Sequence, residues 1–302
     1  MSPDIAASVR ARLLNQAKQS GEEFERTLAR FAAERLLYRL GQSGARDRCV
    51  LKGASLLGVW LSDPYRATRD VDVLASGSGD EASVRELIGE ICVQPCPEDG
   101  LQFDLGTLQV ADIRAETEHA GKRALLFAHL AKARIRVQID LGFGDAVATP
   151  IEEIAYPTML DDLPAPHLRA YPREVSVAEK FEAMVTLDRR NSRMKDFHDM
   201  WALSMAFAFD GSRLRAAIAT CFERRRTAWT PETPGVLTND FYVAADLEQR
   251  WTRYLAAGGV LIAPPSRFET LGAHIMMFLA PVRDAIVDDV SFDARWPAGG
   301  PW

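Results

Sequence analysis

The sequence predicts an α+β protein: a mixed-sheet unit opened by helices, followed by a mainly helical unit. Three observations predict it. Residues 48–145 mix apolar runs of strand period with helical stretches, without a regular strand–helix repeat. Pro150, Pro157, Pro164, Pro166 and Pro172 then punctuate a connecting stretch. After Ser176 the pattern is helical almost to the end. The expected division is residues 1–150 and 151–302.

The elements follow in order. Phe24, Leu28, Phe31, Leu36, Leu37 and Leu40 recur at helical spacing, with Ser20 and Glu23 as a capping box and Gly41–Gly44 as the stop. Cys49–Leu51 is a short apolar run leading into Lys52-Gly53-Ala54-Ser55. Leu56–Leu61 is helical, and Ser62-Asp63-Pro64-Tyr65 is a loop. Asp70–Leu74 alternates with the period of a strand, and residues 80–93 are helical. Four β-rich runs come next: Leu101–Leu105, Leu108–Arg114, Arg123–Leu130 and Arg134–Leu141. Beyond the prolines, helices are expected over 177–190, 193–208, 211–226, 239–257 and 266–290. Ser176 and Glu179 match a second capping box. The tail from Ser291 to Trp302 carries Pro and Gly and is expected to be poorly ordered.

Composition excludes several classes. Hydrophobic content of 47% and charged content of 26% fit a globular chain, neither disordered nor collagen-like. With 36 Lys and Arg against 42 Asp and Glu, the net charge of -6 argues against nucleic-acid binding by bulk charge and still allows a local basic groove. Cys49, Cys92, Cys96 and Cys221 are too scattered for a disulfide framework or a zinc site. They predict reduced, mostly buried thiols and a cytoplasmic location. The start, MSPDIAASVRAR, has no apolar stretch typical of a secretory signal, and no uninterrupted apolar run reaches the ~18 residues of a membrane span.

The strongest chemical signal is Asp70-Val71-Asp72. Residues i and i+2 of a strand share a face, about 6.6 Å apart. Two carboxylates held so repel, and a cation between them relieves the repulsion. Magnesium, an oxygen-seeking ion, suits such a pair. In Arg134–Leu141, Ile135, Val137, Ile139 and Leu141 take one face, leaving Asp140 on the other with Arg134, Arg136 and Gln138. If that strand neighbours Asp70–Leu74, a spacing of ~4.8 Å brings Asp140 beside the pair. Three carboxylates can hold two metal ions for phosphoryl displacement. Asp104, near a turn at Gly106, and Asp112 are alternatives to Asp140, which the alternation favours. Gly53-Ala54-Ser55 sits at a strand-to-helix junction, where free backbone N–H groups favour phosphate.

Lys52-Gly53-Ala54-Ser55-Leu56 followed by Arg69-Asp70-Val71-Asp72 resembles the signature of nucleotidyltransferases with the DNA-polymerase-β-like fold. Ala178-Glu179-Lys180, with Arg193-Met194-Lys195-Asp196-Phe197-His198-Asp199, is similar to the helical half of the AbiEii/AbiGii-type toxins of bacterial abortive-infection systems. The resemblance spans roughly residues 30–260. Ala54 stands where that family usually has a second glycine.

The resemblance implies that Asp70 and Asp72 ligate magnesium or manganese, with a third carboxylate such as Asp140. It implies that Lys52, Gly53, Ser55 and Arg69 serve the nucleotide, and that Lys180 reaches the phosphates of a nucleoside triphosphate. Asp196 would be a further functional carboxylate, with Arg193 and Lys195 near the nucleotide or the acceptor. An acceptor such as the 3′ end of tRNA and a separately encoded AbiEi-type antitoxin are also implied. By themselves Lys180 is an ordinary solvated helix lysine and Asp196, Asp199, Arg193 and Lys195 are surface pairs. Arg189 and Arg190, with Arg193 and Lys195, and the run Arg224-Arg225-Arg226 are basic enough to flank a polyanion. The rival readings are a small-molecule nucleotidyltransferase, a protein-modifying one, and a catalytically silent scaffold.

Overall fold

The computed structural model describes residues 4–61, 70–113, 121–144, 150–257 and 262–302. The loop expected at Ser62–Tyr65 and Arg69 lie outside them. The fold is the α+β arrangement expected, in two compact units: Met1–Asp145 with Ile151–Tyr171, and Ala146–Pro150 with Pro172–Trp302. Residues 151–171 therefore belong to the sheet unit, past the expected boundary at 150, because two short strands there pair into the sheet.

In the first unit, helix α1 (Ile5–Ser20) starts where the Asp4 side chain accepts from the Ala7 N–H at 3.0 Å. It ends at Gly21, whose φ of 71° is left-handed. Ser20 therefore closes α1 instead of capping the next helix, and its Oγ donates to the Ala17 carbonyl at 3.3 Å. Helix α2 (Phe24–Gln42) begins after Glu23 with no side-chain cap. Its buried face includes Leu28, Phe31, Leu36, Leu37 and Leu40, the helical series of the sequence. Its buried Arg39 holds Asp99 through two hydrogen bonds of 2.6 and 3.2 Å and the Leu101 carbonyl at 3.1 Å.

The sheet comprises β1 (Cys49–Lys52), β2 (Asp70–Ala75), β3 (Leu101–Ile113), β4 (Gly121–Leu130), β5 (Ala133–Phe143), β6 (Glu152–Ala155) and β7 (His167–Ala170). Helix α3 (Ala54–Trp60) follows β1, and α4 (Glu81–Cys92) follows β2. The strand order is β3-β4-β5-β2-β1-β7-β6. The β2–β5 and β1–β7 pairs are parallel and the others antiparallel. The two runs expected at 101–105 and 108–114 are one strand, β3, with an irregularity between Asp104 and Gln109. Val71, Val73, Ile139 and Leu141 are buried with Leu36, Leu37, Leu87 and Ile88 from α2 and α4. That apolar side leaves the opposite face of β2 and β5 for polar groups.

The second unit is built on α5 (Arg173–Leu187), α6 (Met194–Ala206), α7 (Gly211–Arg224), α8 (Asn239–Tyr242), α9 (Ala245–Ala256) and α10 (Phe268–Val287). Helix α5 starts right after Pro172, whose fixed φ suits a helix entry, so Ser176 lies inside the helix and caps nothing. The helix expected over 239–257 is broken into α8 and α9. Helix α10 is long and apolar enough to cross a membrane. Here Phe268, Leu271, Ile275, Phe278, Leu279 and Val282 are fully buried, as in the core helix of a globular unit.

The tail is ordered, contrary to the expectation from its composition. Strands β8 (Phe209–Asp210) and β9 (Arg295–Trp296) pair. The Trp296 indole donates to the Ser204 carbonyl at 2.7 Å, and that of Trp302 to the Phe278 carbonyl at 2.9 Å. Trp296 is 0% exposed. A buried Trp296 and a half-buried Trp302, each with its N–H satisfied, outweigh the local preference of Pro and Gly for disorder. Trp296→Ala is expected to cost about 3–5 kcal/mol, read by urea unfolding of the full chain.

Candidate active site

Strand β2 fixes the acidic pair. Val71 and Val73 are buried, so Asp70 and Asp72 emerge together on the other face, partly exposed. Both edges of β2 are paired. Asp72 lies opposite Lys52 of β1 and opposite Asp140 of β5, and Asp70 lies opposite Gln138. The sheet thus brings Lys52, Asp70, Asp72 and Asp140 onto one face. The Lys52 ammonium also sits 5.7 Å from the centre of the Tyr171 ring. Asp104 and Asp112 are on β3, separated from β2 by β4 and β5. Asp104 accepts from the Gly106 N–H at 3.0 Å, and Asp112 from Lys122 at 2.5 Å.

Asp140 has a partner that the sequence did not single out. Arg123, directly opposite on β4, grips it through two hydrogen bonds of 2.8 and 2.7 Å. Gln138 adds a longer one of 3.4 Å. The guanidinium is held more firmly protonated than usual, first by its hydrogen bond to Asp140. Burial opposes this, and the charges of Asp140, Asp70 and Asp72 reinforce it. Arg123 therefore feels all three carboxylates. Among the described residues no three acidic side chains converge as a ready metal cluster. The three expected carboxylates are neighbours in register but do not converge on one point, and the third, Asp140, is engaged by Arg123. Asp70 and Asp72 alone still suit magnesium, which takes one or two protein carboxylates and completes its shell with water and substrate phosphates.

The turn before α3 abuts the pair. Gly53 has φ 72° and ψ -154°, and a Cβ there would fall 2.3 Å from Asp72 Oδ2. Only glycine admits both the backbone and the carboxylate. Ser55 is 3% exposed, tucked into the first turn of α3.

The helical unit holds a second constellation. The Lys180 ammonium of α5 donates to Asp196 Oδ1 at 2.9 Å and to Asp199 Oδ2 at 2.8 Å, both on α6. Asp196 and Asp199 are three apart and share a helix face. All three are largely buried. Burial opposes ionisation of Asp196, but the charge and hydrogen bond of Lys180, then Lys195 and Arg193, outweigh it and hold the carboxyl below its usual range. Lys180 and Asp196 are therefore a buried ion pair, neither a solvated lysine nor a surface pair. Arg193 and Lys195 stay exposed at the start of α6.

In the other basic run, Arg224 and Arg225 turn inward. Arg225 pairs with buried Glu182 at 2.6 Å, and Arg224 lies 3.5 Å from Glu179. They tie α7 to α5 instead of flanking a polyanion. His198 is buried between the Tyr254 hydroxyl at 2.9 Å and the Ile262 carbonyl at 3.0 Å.

Arg123 was findable in principle. The β4–β5 hairpin turns on Ala131 and Lys132, pairing Leu130 with Ala133, and counting back pairs Arg123 with Asp140. Asp199 becomes visible only when α5 packs on α6.

A family model described as "Nucleotidyl transferase AbiEii toxin, Type IV TA system" matches residues 35–273. No curated protein matches the chain. Two crystal structures from Helicobacter pylori are similar to it. One is of JHP933, with 13% identity and a TM-score of 0.45, covering 84% of this chain and 90% of that one. The other is described as a nucleotidyltransferase, with 13% identity and a TM-score of 0.46, covering 88% of this chain and 98% of that one. At that likeness neither bears on the activity of this chain.

The Asp196 carboxyl titrates lower in the folded than in the unfolded state. Its ionisation therefore stabilises the fold above the unfolded value of 3.8, and that contribution is lost as pH falls through the folded value. The stability gap between wild type and Asp196→Asn should shrink as urea midpoints are taken from neutral pH into that acid range. Lys180→Ala leaves two buried carboxylates uncompensated and should cost about 3–5 kcal/mol at neutral pH in the same assay.

Proposed function

The chain belongs to the AbiEii family of nucleotidyl transferase toxins of type IV toxin–antitoxin systems, and we propose that it transfers a nucleotidyl group from a nucleoside triphosphate to an acceptor hydroxyl. The observation that carries this reading is the Asp70–Asp72 pair on a doubly paired strand, with Gly53 packed against Asp72 and Asp140 next in register. The hydroxyl oxygen bonds to the α-phosphorus, the α–β phosphoanhydride breaks, and pyrophosphate leaves with the displaced charge.

Asp70 and Asp72 would hold magnesium or manganese, which supplies neutralisation of the triphosphate and of the charge that develops on the transferred phosphorus. Gly53 lets the chain come close to that centre without a side chain. Lys52, opposite Asp72, adds a positive charge on the same face for the triphosphate. Asp140 is oriented by the Arg123 fork. A bidentate pairing uses two of a carboxylate's roughly four acceptor positions, so Asp140 keeps acceptor capacity for the proton of the attacking hydroxyl. The Lys180 ammonium is held by two carboxylates of its own unit. Its place between Asp196 and Asp199 supports a positioning role.

The acceptor we favour is the 3′ end of a tRNA, which would stop translation in the manner of a toxin. A type IV toxin works against an antitoxin, and an AbiEi-type protein would be that partner. Such a target places the protein in the cytoplasm.

The test incubates the full chain with each labelled nucleoside triphosphate, magnesium and total bacterial RNA. Label should enter tRNA-sized RNA and fall at least about a hundredfold in the Asp70→Asn/Asp72→Asn protein. Label entering protein or small molecules instead overturns the RNA acceptor, and transfer to nothing at all overturns the reading. Gly53→Ala displaces the Asp72 carboxylate and should lower transfer by about a hundredfold while the protein stays folded by circular dichroism.

A further inference from the structure

The helical unit carries an open, solvent-facing pocket of about 640 Å³ lined in part by Ser192, Arg193, Lys195, Arg250, Arg253 and Tyr254. Its size is that of a small-molecule or nucleotide-fragment site. Its charge sets it apart from the rest of the unit. Several other arginines of the unit meet carboxylates: Arg213 with Glu174, Arg225 with Glu182, Arg215 with Asp289, Arg283 with Asp284. Here four cations share one space, and among the described residues no carboxylate lines it. Asp246, 3.5 Å from Arg250, offsets one charge from the next turn of α9. Asp196 acts on Arg193 and Lys195 but is already engaged by Lys180.

The cations come from two elements. Arg193 and Lys195 flank the start of α6. Arg250 and Arg253 are three apart on α9 and so share a face. Arg250 is held in place: its guanidinium donates to the Arg189 and Asn191 carbonyls, each at 3.3 Å. Tyr254 is fixed too. Its hydroxyl meets His198 at 2.9 Å, and its ring stacks on Trp251 with centroids 5.3 Å apart. A pre-set cluster of guanidinium and ammonium groups beside a rigid aromatic ring matches phosphate-bearing ligands. With no carboxylate among the described residues of its lining to hold a divalent ion, the pocket would grip the anion directly.

We infer that this cavity is a phosphate-binding subsite, in which Arg250 and Arg253 join Arg193 and Lys195. The phosphate comes either from the triphosphate of the donor nucleotide or from the phosphodiester chain of a polynucleotide acceptor. The choice between these sources rests on the transferase reading; the existence of the site does not.

The experiment measures binding and leaves catalysis out, using the full-length Asp70→Asn/Asp72→Asn protein as background. The probes are inorganic triphosphate, followed by calorimetry, and a short fluorescein-labelled single-stranded RNA, followed by anisotropy at several salt concentrations. Arg253→Gln is the cleaner variant, because among the described residues that guanidinium bonds to the Gln249 carbonyl of its own helix, at 3.4 Å. Arg250→Lys is the second, keeping the charge and losing the fork. Each should weaken at least one probe about tenfold with an unchanged melting curve. Loss confined to RNA, with the salt slope reduced by about one in Arg253→Gln, assigns the site to the acceptor. Loss confined to triphosphate assigns it to the donor. Unchanged affinity for both probes in both folded variants overturns the inference. Weakened binding in a protein whose wild type transfers no label keeps the phosphate site and removes the transferase reading.

Discussion

Electrostatic repulsion on a rigid lattice governs the sheet unit. Strand β2 is hydrogen-bonded along both edges and anchored by Val71 and Val73, so Asp70 and Asp72 cannot relax apart without breaking pairing or exposing apolar surface. Asp140 adds a third negative charge in the adjacent register position. Such a face needs positive charge from outside its own strands. Lys52 opposite Asp72 and Arg123 on Asp140 supply part of it. The same repulsion that would make the face a liability in an inert protein makes it receptive in a phosphate-handling one.

The helical unit solves a related problem differently. Lys180, Asp196 and Asp199 are taken out of water and satisfy one another between α5 and α6, while Glu182 does the same for Arg225 between α5 and α7. These contacts set helix positions by directional bonds, where apolar packing alone would tolerate sliding. The cost of desolvating the charges is offset by geometry, since each buried ammonium or guanidinium meets a carboxylate at hydrogen-bond distance. The pocket at the start of α6 differs in that four cations share it and Asp246 offsets one of them.

Much of the site was legible because strand periodicity is local. Asp70 and Asp72 follow from alternation, and Asp140 follows from alternation plus one assumption about neighbouring strands. Residues visible only through long-range contacts were missed or misjudged: Arg123 depends on hairpin register, Asp199 on a partner nineteen residues earlier, Arg250 and Arg253 on an otherwise ordinary amphipathic helix. Local signals also misled. Ser20 and Ser176 carry cap chemistry, yet a left-handed glycine and a preceding proline set those helix ends. Pro and Gly mislead about the tail because its decisive feature is the packing of Trp296 and Trp302, a tertiary effect. In the basic run at 224–226, the counter-charges of Arg224 and Arg225 lie on another helix and are not visible in the run itself.

The two-residue turn at Ala131 and Lys132 makes the spacing of the site a matter of arithmetic. Along the β4–β5 hairpin each pair is fixed by counting from that turn, so Arg123 meets Asp140 only while no residue is gained or lost there. A single insertion at this distant loop would slip β4 by one place and turn Arg123 toward the apolar face of the sheet. Length variation that surface loops ordinarily absorb is therefore forbidden here, and the hairpin tip behaves as a gauge that sets the charge balance of a site it never touches.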